Sequence, residues 1–141
     1  MKKLIVFLFV ILSFDIRAEE LNIMGKVSYD VKIAKTIEQK QKGLMFVKYL
    51  PENKGMLFDV RENEKVSMWM KNTYVPLDMI FLDCGYKIVD VYKNAKPHSI
   101  DEITSDKNFC YVLEVNGGEF DKRKLKIGET FLLKNKKIRV R

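Results

Sequence analysis

The stretch Val66-Ser67-Met68-Trp69-Met70-Lys71-Asn72-Thr73-Tyr74-Val75-Pro76-Leu77-Asp78-Met79-Ile80-Phe81-Leu82-Asp83 sets two apolar, strand-like runs on either side of the polar turn Lys71-Asn72-Thr73. It contains the single Trp of the chain and three of its 7 Met, so core and candidate site both gather here. A period of two places Leu77, Met79 and Phe81 on one face and Asp78, Ile80 and Leu82 on the other, which leaves Asp78 on an otherwise apolar face. Val66, Met68 and Met70 against Trp69 would make the first run an interior strand, apolar on both sides. Polar groups held between such strands either hydrogen-bond one another or face a ligand.

Downstream, Asp83-Cys84-Gly85-Tyr86 reads as a tight hairpin turn into a strand over Lys87 to Tyr92. Periodicity disappears from Asn94 to Asn108, where the sole histidine, His98, is expected to be exposed and idle. A strand resumes over Phe109 to Val115, with Glu114 among apolar neighbours, and Gly117-Gly118 ends it. Phe131 to Leu133 and Lys137 to Val140 read as a closing hairpin around Lys134-Asn135-Lys136. Upstream, Val27 to Ile33 alternates as a half-buried strand after a short polar lead. Thr36-Ile37-Glu38-Gln39 has capping-box spacing and Gly43 can end the helix, which is expected to pack Ile37 and Leu44 beneath the sheet. Leu50 to Gly55 is a turn that delivers the short strand Met56-Leu57-Phe58, and Arg61 to Lys65 is a charged loop. The sum is a mainly-β single domain of about seven or eight short strands with one or two small helices, a β-sandwich or partly open barrel.

Met1-Lys2-Lys3, the apolar run Leu4 to Phe14 and the approach to Ala18 read as a secretory signal peptide over residues 1–18, cut before Glu19. The run is well short of the ~20 residues of a membrane-spanning helix, so an uncleaved N-terminal anchor is the alternative and stable membrane insertion after cleavage is not expected. Residues 19–141 then form one exported, periplasmic domain. Cleavage takes 26 basic and 19 acidic side chains to 23 and 18, and the formal charge from +7 to +5. Basic residues are scattered without an interleaved aromatic platform, which argues against a nucleic-acid partner. Cys84 and Cys110 admit either a disulfide or two separate buried thiols, and no Cys-x-x-Cys redox pair occurs.

Gly43-Leu44-Met45, Gly55-Met56-Leu57-Phe58, Trp69-Met70-Lys71-Asn72-Thr73, Pro76-Leu77-Asp78-Met79-Ile80-Phe81, Val112 to Gly118 and Ile127-Gly128-Glu129 together resemble the DUF192 family, over roughly residues 27 to 134. The resemblance implies a compact mainly-β domain, often exported, whose biochemical function is unassigned. The chain departs from that pattern at Met68, where the family more often has Phe, and at Cys84-Gly85, where it has turns without cysteine.

Three chemistries fit these residues. The first is a small-molecule binding module, for an anionic or zwitterionic ligand, with Trp69, Met45, Met56 and Phe58 as walls and Lys71, Asn72, Thr73, Asp78 and Glu114 as polar groups. Its structural counterpart is a buried ion network of Lys71, Asp78 and Glu114. The second is a hydrolase-type enzyme using Asp78 and Glu114 as paired carboxylates, although no nucleophile elbow, HExxH or phosphate cradle is present. The third is Cu(I) binding by Met68 and Met70 beside Trp69, thioethers being soft ligands. No cofactor and no zinc site are expected, and no protein partner can be read.

Overall fold

A computed structural model describes residues 18–63 and 65–136. Seven strands form one mixed sheet: β1 (Ala18–Ile23), β2 (Val27–Ala34), β3 (Lys54–Asp59), β4 (Leu77–Leu82), β5 (Ile88–Ala95), β6 (Tyr111–Asn116) and β7 (Leu132–Lys136), in the order β5-β4-β6-β3-β2-β1-β7. Among the described residues, two short helices, α1 (Ile37–Lys42) and α2 (Glu119–Lys122), accompany the sheet. The sheet is mainly antiparallel; only β2 and β3 run parallel. That pairing demands a crossover, because parallel neighbours cannot be joined by a tight turn. The crossover carries α1, whose start is fixed by the Thr36 and Gln39 capping box and whose end is Gly43 at φ 45°.

The sheet curls until the Tyr86–Ile88 region meets the segment entering β7, through a Lys87–Thr130 bridge and a bond of 2.8 Å from the Ile88 N–H to the Glu129 carbonyl. It remains open, since no continuous ladder joins β5 to β7. The curl gathers one core from Leu21, Tyr29, Leu57, Ile80, Leu113 and Phe131. The other face carries a second core, with Phe58, Met70, Leu77, Met79, Phe81 and Val112. Loops cover it. Gly55 lets β3 and β6 meet, because a Cβ there would stand 2.6 Å from the Glu114 carbonyl oxygen.

Four expectations change. The 66–70 run is not an interior strand: it is an extended strap attached by the Met68–Ile103 bridge, and Trp69 is 45% exposed. The polar lead is a strand, β1, which pairs with both β2 and β7. Lys134-Asn135-Lys136 lies within β7 rather than in a turn, so no hairpin forms around it, and its expected second strand over 137–140 lies outside the described residues. Ile37 is exposed, whereas Leu44 is buried as expected. The expected signal peptide also lies outside the described residues except for Ala18, the first residue of β1.

Cys84 and Cys110 form a disulfide, with Cα atoms 5.0 Å apart across a sequence separation of 26. It ties the β4–β5 turn to the start of β6. Closing a loop of this length restricts the unfolded chain by ~3 kcal/mol. Replacing both cysteines with alanine is expected to lower the urea-unfolding free energy by about that amount, and reducing wild type should lower it equally. If neither treatment moves the unfolding midpoint, the bond contributes no stability.

Candidate functional site

Glu114 points from the middle of β6 toward the second core, because alternation sends Tyr111, Leu113 and Val115 to the first. Its cross-strand neighbours are Met56 on β3 and Met79 on β4, which supply no hydrogen-bond donor. The residue is 4% exposed. No hydrogen bond or ion pair reaches its side chain among the described residues, and burial alone pushes its carboxyl up to about 8. A buried carboxyl without a cationic or donating partner favours the protonated form.

The side chain forms part of the lining of a depression of about 20 Å³, with room for about one water-sized group. Lys40, Lys42, Gly43 and Met45 line it from α1 and the following loop, Phe58 from β3, and Met68, Trp69, Lys71 and Thr73 from the strap. Lys71 Nζ lies 5.2 Å from the centre of the Trp69 ring, within cation–π range. Thr73 is buried and its hydroxyl donates to the Lys71 carbonyl at 3.2 Å. The two walls meet where the Phe46 N–H donates to the Asn72 carbonyl at 2.9 Å. A Cβ on Gly43 would stand 3.1 Å from the Phe58 ring, which is why the loop can close down here.

The depression continues into an open groove of about 320 Å³ between α1 and the strap, walled by Ile37, Phe58, Val60, Val66, Met68 and Trp69. The Lys40 ammonium crosses toward the other wall and donates to Asn63 Oδ1 at 3.0 Å. A larger hollow of about 590 Å³ lies beyond Val66, but exposed polar loop residues dominate its lining and none of its lining residues is buried. The smaller site is the chemically distinctive one.

Of the residues singled out from sequence, Met45, Phe58, Trp69, Lys71, Thr73 and Glu114 surround one depression. Asn72 does not line it; at φ 52° it shapes the turn and offers its carbonyl to Phe46. Asp78 is a correction. It pairs with Val115, one position beyond Glu114, so the two carboxyls project from opposite faces and form no catalytic pair. Asp78 instead accepts backbone N–H bonds from Asn94 at 2.8 Å, Gly118 at 3.1 Å and Phe120 at 2.8 Å.

The Lys71–Asp78–Glu114 network is likewise not formed, since Lys71 is exposed. The Met68 and Met70 pairing also loses its basis, because period-two alternation does not apply to a strap and Met70 is fully buried in the core. Lys40 and Lys42 were not singled out; only the crossover, which places α1 beside the strap, brings them to the rim. His98 is exposed as expected, with its ring 5.1 Å from that of Tyr74.

The DUF192 family model, described as an uncharacterized ACR, matches residues 19–133. The chain belongs to the DUF192 family. No curated protein matches it. Among solved structures, a protein of unknown function from Novosphingobium aromaticivorans DSM 12444 is similar, with a TM-score of 0.75 and 28% identity over 82% of this chain and 83% of that one. A candidate transcription regulator from Sinorhizobium meliloti 1021 is also similar, with a TM-score of 0.71 and 35% identity over 84% of this chain and 92% of that one. This DUF192 domain thus shares its fold with relatives whose biochemistry is unassigned or only proposed.

Proposed function

We propose that this DUF192 protein is a binding module for a small anionic or zwitterionic molecule held at Trp69, Lys71, Thr73 and Glu114, with Met45 and Phe58 as apolar walls. The observation that carries the reading is the Glu114 carboxyl, which among the described residues has no protein partner, sits on a residue only 4% exposed and opens onto a depression that leads to a groove. A carboxyl in an apolar setting that is reachable only through a narrow depression can exchange hydrogen bonds with a group that enters there. The lysines flank a cleft rather than a broad face, which suits a small anion better than a nucleic-acid backbone. Export is part of the proposal, supported by the signal-like leader and by a disulfide of the kind that persists in oxidising compartments.

The single tryptophan makes the test direct. Hexanoate, glycine and betaine are titrated at millimolar concentration while Trp69 emission and backbone amide shifts are followed. At least one probe is expected to change the emission and to shift amides around residues 40–45, 69–73 and 114. Absence of any response, or shifts confined to other surfaces, overturns the reading.

A further inference from the structure

The groups around Glu114 restrict what can enter. Lys40 and Lys42 of α1 and Lys71 of the strap line the depression, with the Lys40 ammonium on Asn63 and the Lys71 ammonium over Trp69, whereas β3 and β4 present Met56, Phe58, Leu77, Met79 and Phe81 on that face and β2 its Lys32 beside Met56. Glu114 is the sole carboxyl of the lining among the described residues. When that carboxyl is neutral, the charges that the described residues bring to the rim are positive, and a positively lined cleft attracts anions and repels ammonium groups. A neutral carboxyl also has one O–H to donate, and an O–H donated to an anionic oxygen is a short, strong hydrogen bond. A volume of about 20 Å³ admits an oxygen but not a ring or a branched chain. Beyond it, the groove of about 320 Å³ sets an apolar wall of Ile37, Phe58, Val60, Val66, Met68 and Trp69 beside the polar Lys40, Gln41, Asn63, Lys65 and Ser67, and has room for the body of a modest organic molecule.

Resting on the small-molecule reading above, we propose that the ligand is an organic carboxylate with an apolar body, and that Glu114 binds it as a neutral hydrogen-bond donor. One ligand oxygen occupies the depression and accepts the Glu114 proton. The other faces the rim lysines, and the apolar body lies along Trp69, Phe58 and Met68. Binding is therefore coupled to retention of a proton. Burial holds the Glu114 proton to about pH 8 in the free protein, so affinity is full below that pH and falls above it.

Hexanoate is the probe, titrated against wild type and Glu114→Gln and Glu114→Leu variants at pH 6.5 and pH 9, with Trp69 emission as the readout. Acetate, inorganic phosphate and n-hexylammonium serve as further arms. For wild type, the hexanoate Kd is expected to rise about tenfold between the two pH values, following the ionised fraction of a group titrating near 8. Glu114→Gln, whose amide still donates, should show measurable binding without the pH dependence, and Glu114→Leu should lose binding. Hexanoate should bind more tightly than acetate, which lacks the apolar body. Binding that strengthens toward pH 9 or loss of binding in Glu114→Gln overturns the carboxylate assignment and leaves the small-molecule reading standing, whereas preference for hexylammonium overturns both. Tighter binding of phosphate than of hexanoate assigns the site to an inorganic oxyanion and overturns the apolar body. If no probe binds under any condition, both readings fall.

Discussion

At pH 9 the Glu114→Gln variant is expected to be more stable than wild type by several kcal/mol. In the folded protein Glu114 titrates near 8, against about 4.5 for the unfolded chain. A raised carboxyl contributes fully below the unfolded value, as a neutral acid in an apolar setting, and that contribution is lost as the pH climbs through 8. The difference between the two values corresponds to a ceiling of ~5 kcal/mol, at 1.36 kcal/mol for each pH unit. A glutamine is neutral throughout and lacks this slope. Urea unfolding of both proteins at pH 4.5, 7 and 9 measures it directly: the stability gap should open in favour of the variant as the pH rises. Parallel curves would show that water or a cation meets the carboxyl and that it ionises normally.

The second large effect belongs to Asp78. Its two oxygens accept three backbone N–H groups, from the end of β5, the residue preceding α2 and the second residue of α2. Asp78→Ala strands all three donors in an interior where Asp78 itself has no exposure. Bonds to a charged acceptor are each worth ~1.5 to 3 kcal/mol, and their joint loss typically reaches ~3 to 5 kcal/mol once the site relaxes. The expected result is a fall in Tm of roughly 15 to 20 °C, with Asp78→Asn in between because one oxygen remains. Hexanoate titration of the folded fraction should be unchanged, since Asp78 lies on the face opposite the cleft. A Tm near that of wild type would remove Asp78 from any structural role.

Local signals made part of this fold legible. The capping box at Thr36 and Gln39, the alternation in Val27 to Ile33 and the two-faced strand Leu77 to Leu82 depend on neighbouring residues, and the structure contains all three. Asp78 and Glu114 stood out in sequence as carboxyls within apolar runs, and both are buried. Whether they met was a question of register between β4 and β6, and that is set by pairing across the chain rather than by either strand. The strap at 66–70 misled for a related reason. An apolar run bounded by polar residues resembles a strand, yet this one finds a single bridge partner and leaves Trp69 at the surface. Lys134-Asn135-Lys136 looks like a turn locally but is held extended by pairing with β1, a tertiary effect outweighing propensity.

The parallel pairing of β2 with β3 has an evolutionary consequence. Glu114 is fixed by the sheet, and its position cannot drift without disturbing the pairing with Met56 and Met79. Most of what surrounds it comes from the crossover and the strap, segments joined to each other by loop contacts such as Phe46 to Asn72 and Lys40 to Asn63. Loops tolerate substitution and insertion far better than strands. Substitutions can therefore accumulate around an unchanged acid while the backbone that carries it stays the same.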